Sequence, residues 1–177
     1  MLDTVLATSA SLVLGVLVIE IGGYFWHRWV EHEGLFGKAM VASHVRHHEK
    51  DYPTDKLRPN SRYKSAKSWS WYVMGVGAAA IIFVLVPRPY SLIAITTSVV
   101  YAKFVTSYLH KAFHVPTHWL QRFGWFKRLT YLHDIHHYKP VNFGITSFFM
   151  DRIFGTFSAT MPAKAVSTFR YAHDRNT

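Results

Sequence analysis

Eleven of the chain's 12 histidines stand in or beside four short runs. These are HRWVEH (His27, His32), HVRHH (His44, His47, His48), HKAFH (His110, His114, with His118 just beyond) and HDIHH (His133, His136, His137). Imidazole is the commonest side-chain metal ligand and is largely neutral at pH 7. Ten clustered imidazoles exceed what a single ion holds and match two ions side by side. An all-imidazole set suits iron, copper or zinc rather than magnesium or calcium. Zinc does no redox work, whereas two irons about 3.5–4 Å apart can share the electrons needed to cleave O2.

Spacing divides the ligands. On an α-helix, positions i, i+3 and i+4 lie within about 100° of one face. His44 and His48 can therefore share one ion while His47, turned aside, reaches a second. The same holds for His133 and His137 against His136. HKAFH is an i, i+4 pair, the usual spacing for one metal. His27 and His32 are i, i+5, about 140° apart on an α-helix, and so serve different metals or a distorted helix end. Pro116 interrupts the helix between His114 and His118, so His118 is set aside, as is the isolated His173. Glu31, beside His32, and Asp134, inside HDIHH, are candidates for a base or for partners of imidazole N–H groups. A single HxxH arises by chance, and a histidine tract can be a loose metal buffer. Two copies of HxxHH and two spaced pairs, all placed at one depth by apolar spans, point to a built two-metal site.

The elements that position these runs are apolar. Half of the 177 residues are hydrophobic and 16% are aromatic, which predicts one domain with no room for a second core. The absence of cysteine excludes disulfides, zinc–thiolate sites and iron–sulfur clusters. Three stretches approach the ~20 residues that cross a bilayer: Val5 to Trp26, Trp69 to Val86, and Tyr90 to Leu109. The Gly/Ala run GVGAAA in the second suits close helix packing in lipid, and PRPY (Pro87 to Tyr90) reads as a tight turn. No basic segment precedes the first stretch, so it reads as a retained anchor. The expectation is an all-α integral membrane bundle of three to four transmembrane helices with a cytosolic histidine-rich cap. Residues 1–157 form the single membrane domain and 158–177 a polar tail. The polar, proline-containing YPTDKLRPNSRYKSAKS reads as a loop, and residues 119–157 as lying on the membrane interface.

Counting crossings puts all four histidine runs on one side. Of the 20 Lys and Arg, Arg88 falls in the opposite turn and Lys103 within a span, leaving 18 on the histidine side. The positive-inside rule then predicts cytoplasmic histidines and C-terminus, with the N-terminus outside. The net charge of +10 is explained by topology and anionic headgroups, and no nucleic acid is invoked.

Two charges stand within the spans. Glu20 precedes His27 by seven residues, and Lys103 precedes His110 by seven. Seven residues are nearly two turns, so each charge is expected on its helix's histidine face, at equal depth. A pair between them across the bundle is predicted, as a lock or as polar lining of a substrate channel; the alternative is a snorkelling lysine and a glutamate that is protonated or bonded to a hydroxyl. Tyr24, Trp26, Tyr101 and Tyr108 on the same helices are channel or interfacial aromatics. Asn142 is read as capping or orienting the last histidine segment, Gly144 and Gly155 as allowing tight turns, and Asp151 with Arg152 as a surface or interface ion pair.

The four runs, together with NFGITSFFMDRIFGTF (Asn142 to Phe157), resemble the membrane fatty acid hydroxylase superfamily of sterol desaturases, fatty acid hydroxylases and carotenoid hydroxylases. The resemblance covers about residues 20 to 157. It implies a helical membrane fold and a histidine-held di-iron centre. It also implies O2-dependent hydroxylation or desaturation of a lipid, with electrons from a separate donor protein. The short chain is close in size to bacterial carotenoid hydroxylases. HKAFH is not their HDGLVH, however, and NFGITS is nearer the fatty acid and sterol branch. Zinc in isolated protein is compatible with this reading. The rival readings are a membrane metal transporter or storage protein, and a zinc-dependent hydrolase. A transporter needs ligands along a transmembrane path, whereas these histidines all lie at one side.

Overall fold

The computed structural model describes residues 1–64, 69–164 and 166. His173, most of the polar tail and the end of the polar loop (residues 65–68) lie outside the described residues. Among the described residues the fold is all-helical, with no strand.

The chain opens with α1 (Leu2–Phe25), which continues without a break through a π-helical segment, Trp26–His32. The joined helix of 31 residues is about 45 Å long, well beyond the ~30 Å of a bilayer core, so its two ends cannot both lie in lipid. α2 (Lys38–Arg46) likewise runs into π-helical turns, His47–Asp51. After the polar loop come α3 (Ser70–Leu85), a turn at Pro87–Pro89, and α4 (Tyr90–Tyr101). A third π-helical segment, Ala102–Thr106, links α4 to α5 (Ser107–Phe113). A 3-10 turn at Trp119–Arg122, α6 (Gly124–Tyr138) and α7 (Phe149–Ile153) complete the order.

Two helices, Leu2–His32 and Tyr90–Phe113, are long and apolar enough to cross a membrane, and only 17% of each apolar window is buried inside the protein. α3 is apolar but has 16 residues. α1 and α4 run parallel in close contact: the Ser98 hydroxyl donates to the Gly15 carbonyl (2.9 Å), and Tyr101 lies beside Glu20. The contact uses small residues four apart, Ser11 and Gly15 on α1 against Ala94 and Ser98 on α4, the usual device for close approach in lipid. A Cβ on Gly15 would stand 2.6 Å from the Ala94 carbonyl oxygen. The Gly/Ala run of α3, expected to serve this purpose, does not: Gly75 and Gly77 face open space. α3 packs instead through Trp71 and Met74, which lie against Gly23 and Gly22 of α1. The parallel pair carries its two continuations, with His27, His32, His110 and His114, to the same end of the bundle.

Candidate metal centre

Nine histidines gather there as two groups. His27, His32, His44, His48 and His136 form one; His47, His114, His133 and His137 form the other. All nine are buried, and within each group the ligand nitrogens lie within 4.8 Å of one another. The groups abut: His48 of the first stacks on His137 of the second at 4.1 Å between ring centroids. His110, included among the expected ligands, borders the second group, with its ring 4.8 Å from His133 and 4.9 Å from His47. His118 joins neither group and accepts from the Leu120 N–H of the following 3-10 turn (3.3 Å).

The helical division holds within each HxxHH run. His44 and His48 fall in the first group and His47 in the second, while His133 and His137 fall in the second and His136 in the first. His27 and His32 share a group because the Trp26–His32 segment is π-helical. Its i→i+5 bonding brings residues five apart onto neighbouring positions.

The nitrogens converge as ligands do. His44 Nε2 lies 2.9 Å from both His27 Nε2 and His32 Nε2, and His32 Nε2 lies 3.2 Å from His136 Nε2. In the second group His133 Nε2 lies 3.1 Å from His114 Nε2 and 3.3 Å from His137 Nε2. Nitrogens about 2.0–2.1 Å from one ion and 90° apart would be about 3.0 Å from each other. His47 Nε2 is buried without a hydrogen-bond partner, as an atom meant for a metal would be. The residues therefore fit two metal ions.

Backbone carbonyls set the tautomers. The Nδ1–H groups of His27 and His136 donate to the carbonyls of Phe143 (2.7 Å) and Val141 (2.8 Å). Those of His114 and His137 donate to Leu57 and Tyr52, both at 3.0 Å. Each leaves Nε2 as the nitrogen able to take a metal. Burial, reinforced by neighbouring imidazoles, pushes His44, His47, His48, His133, His136 and His137 well below the ordinary imidazole range. Burial brings His114 to about 3. These rings are neutral at pH 7 and ready to bind.

The residues around the groups differ in part from the sequence expectation. Glu31, fully buried, accepts from the Ser70 hydroxyl (2.7 Å), with its other oxygen 3.6 Å from His44 Nδ1. Asp134 pairs with Arg58 instead: both its oxygens accept from Arg58 (2.7 Å), next to the Leu57 carbonyl that holds His114. Burial raises the Asp134 carboxyl while Arg58 opposes the rise. Asn142, at φ 55°, stands between the two carbonyls that hold His136 and His27. Its amide donates to Leu132 and Ser158 carbonyls and accepts from the Ser158 N–H.

Asp151 is no surface ion pair. It is fully buried and accepts from the N–H groups of Phe143 (2.9 Å) and Gly144 (2.8 Å) and from the Thr156 hydroxyl (2.7 Å). Its neighbour Arg152 lies over the Phe157 ring instead. Asp151 is thus a positioning residue that sequence reasoning misassigned; the DRIFGT run was its only signal.

The expected Glu20–Lys103 pair does not form. Glu20 accepts from the hydroxyls of Tyr101 (2.8 Å), Thr146 and Ser147, while Lys103 is exposed beside Phe104. The π-helical Ala102–Thr106 segment shifts the register that the seven-residue offset assumed. Glu20 and Tyr24 line a cavity of 20 Å3 with Trp71, Thr106 and Phe143. The Phe143 ring sits edge-on to His27, His32 and His136. Tyr108, 41% exposed, lies away from that cavity and accepts from Trp119 Nε1 (3.0 Å).

The family comparison agrees with this constellation: the model described as Fatty acid hydroxylase matches residues 12–156, which include all ten clustered histidines and Asp151. No curated protein and no solved structure shows significant similarity to the chain. Four ordered histidine runs, brought together as two buried groups that could each hold a metal ion beside apolar helices, and a family match over most of the chain place this protein in the fatty acid hydroxylase family.

Proposed function

We propose that the protein is an O2-dependent di-iron membrane hydroxylase, or desaturase, acting on a C–H bond of a lipid such as a fatty acyl chain or sterol. The observation that carries this is the pair of abutting, buried, all-imidazole groups in a chain of this family. When bound there, iron supplies O2 activation and a redox change that zinc lacks. In hydroxylation one oxygen atom enters the C–H bond. The other leaves as water, with two electrons and two protons delivered by a separate donor protein and solvent.

The chain's own residues hold and orient. The carbonyls of Phe143, Val141, Leu57 and Tyr52 fix four imidazoles, and burial keeps bulk water from the nitrogens. The lipid approaches the first group from the side of α1 and α3, where Glu20, Tyr24, Trp71 and Phe143 line a small cavity. α3 crosses as a third span; the histidines and C-terminus are cytoplasmic and the N-terminus outside. A zinc hydrolase is disfavoured because a carboxylate base is wanting: Asp134 is taken up by Arg58, and Glu31 is held by Ser70.

The test is anaerobic reconstitution with ferrous iron, followed by oxygen uptake. Two irons per chain and uptake that needs both a lipid and a reductant are expected. Zinc in the isolated protein does not count against the reading. Iron-loaded protein that never consumes O2 with a competent reductant, across fatty acyl and sterol lipids, would falsify it.

A further inference from the structure

An aromatic stack leads out of the second histidine group. Tyr52, 1% exposed, lies nearly parallel to the His114 ring at 3.9 Å between centroids. Tyr63 stacks on Tyr52 at 5.4 Å and 13°. It is half-buried and so reaches from the stack to the surface. The Tyr52 hydroxyl is bonded to both the N–H (2.7 Å) and the carbonyl (3.0 Å) of Lys64. The same loop is fixed to the site by the Tyr52 and Leu57 carbonyls, by Arg58–Asp134, and by the Tyr138 hydroxyl on the Thr54 carbonyl.

The surface around Tyr63 is basic and wet. Lys56, Arg62 and Lys64 are exposed, against the single exposed acid Asp55 among residues 52–64. No large hydrophobic residue between 37 and 64 is exposed. The contrast is with Trp119, bonded to Tyr108 of a span helix, and Phe154, stacked on Tyr24 of α1; both are exposed apolar groups at span level. Those surfaces suit lipid, whereas the Tyr63 surface suits a soluble, acidic partner.

We propose that the Tyr52–Lys64 loop docks a small acidic one-electron carrier protein. Its electrons enter the metal centre through Tyr63, which lies against Tyr52 and also directly against His114 and His110. This rests on the di-iron oxygenase reading. Each encounter oxidises the carrier by one electron and reduces one bound iron by one, and two encounters supply the two electrons that hydroxylation consumes. Opposite charge steers such encounters and sets their rate more than their affinity. Electron-transfer interfaces are small and transient, which a patch of three cations with no apolar face fits.

The experiment uses the full chain in phosphatidylcholine nanodiscs, with an acidic plant-type ferredoxin as probe. In the binding arm the protein is loaded with redox-silent zinc. Association should weaken with salt, and Arg62→Glu with Lys64→Glu should slow it about tenfold. Arg88→Glu, in the turn at the other end of the spans, should leave it unchanged. In the electron arm, reduced ferredoxin is mixed anaerobically with protein whose bound irons have been oxidised to the ferric state. Tyr63→Leu should slow metal reduction several-fold with binding intact, and Tyr63→Phe should restore it. Zinc content checks that each variant is folded.

Charge-reversed protein that associates like wild type overturns the docking. Tyr63→Leu reduced at the wild-type rate overturns the route. Loss of binding seen only in discs containing phosphatidylserine assigns the patch to headgroups and overturns both. If iron-loaded protein accepts electrons through Tyr63 but never consumes O2 with any lipid, the proposed function fails while this inference stands.

Discussion

The two histidine groups are chemically alike and are held in opposite ways. The first is framed from the bundle side, by a stretch of backbone at Val141–Gly144 clamped by Asp151 and Asn142, with the following Thr146 and Ser147 bonded to Glu20 of α1. The second is framed by a polar loop, through the carbonyls of Tyr52 and Leu57 and the Arg58–Asp134 pair. The difference teaches that a buried frame and a half-exposed frame can present the same ligand chemistry. They should not fail together.

The largest separation is expected from Gly144→Ala. A Cβ there would lie 1.9 Å from the Ser147 carbonyl oxygen, so the first frame must rearrange. A loss of about 4 kcal/mol is expected in thermal unfolding, with one of the two metals lost by elemental analysis. Asp151→Asn is next. It replaces a buried carboxylate that accepts two backbone N–H groups, and should cost about 3 kcal/mol. Metal affinity of the first group should fall about 10–100-fold in competition with a chelator, with the second group unchanged. Equal loss from both groups in either variant would erase the distinction.

Gly15→Ala strikes neither frame. Crowding the Ala94 carbonyl should cost about 1–3 kcal/mol in stability and leave two metals per chain. Loss of either metal would show that the helix contact is part of a frame. Arg58→Ala is the mildest and the mirror image of Asp151→Asn. Freeing Asp134 and the Leu57 carbonyl should weaken the second metal about tenfold and spare the first. A first-group loss there would mean that the loop braces both.

Much of the histidine grouping was legible because HxxHH on an α-helix leaves little choice: imidazoles at i and i+4 must part from the one at i+3. What could not be read were features without a side-chain signature. Four imidazoles are oriented by backbone carbonyls, which no residue type announces. The search for carboxylates in that role led to Asp134, which lies one step further out. Asp151 next to Arg152 reads as an ion pair in sequence; in the fold the five-residue α7, Phe149–Ile153, aims the acid inward and the base outward. Glu20 and Lys103 were matched by an offset that assumes unbroken α-helix, and a π-helical segment lies in one helix and not at the same point of the other.

That segment type has a consequence for how the sequence tolerates insertions and deletions. The joined first helix ends in π-helical turns that bring His27 and His32 into one group. Deleting any one of the four residues between them would restore a regular α-helix and improve its local hydrogen bonding. His27 and His32 would then stand at i and i+4, still on one face, because a π-helical turn amounts to one residue added to an α-helix. Adding a further residue between them would instead swing His32 and the chain after it by about 100° about the helix axis. Between these two histidines a one-residue gain should be more damaging than a one-residue loss.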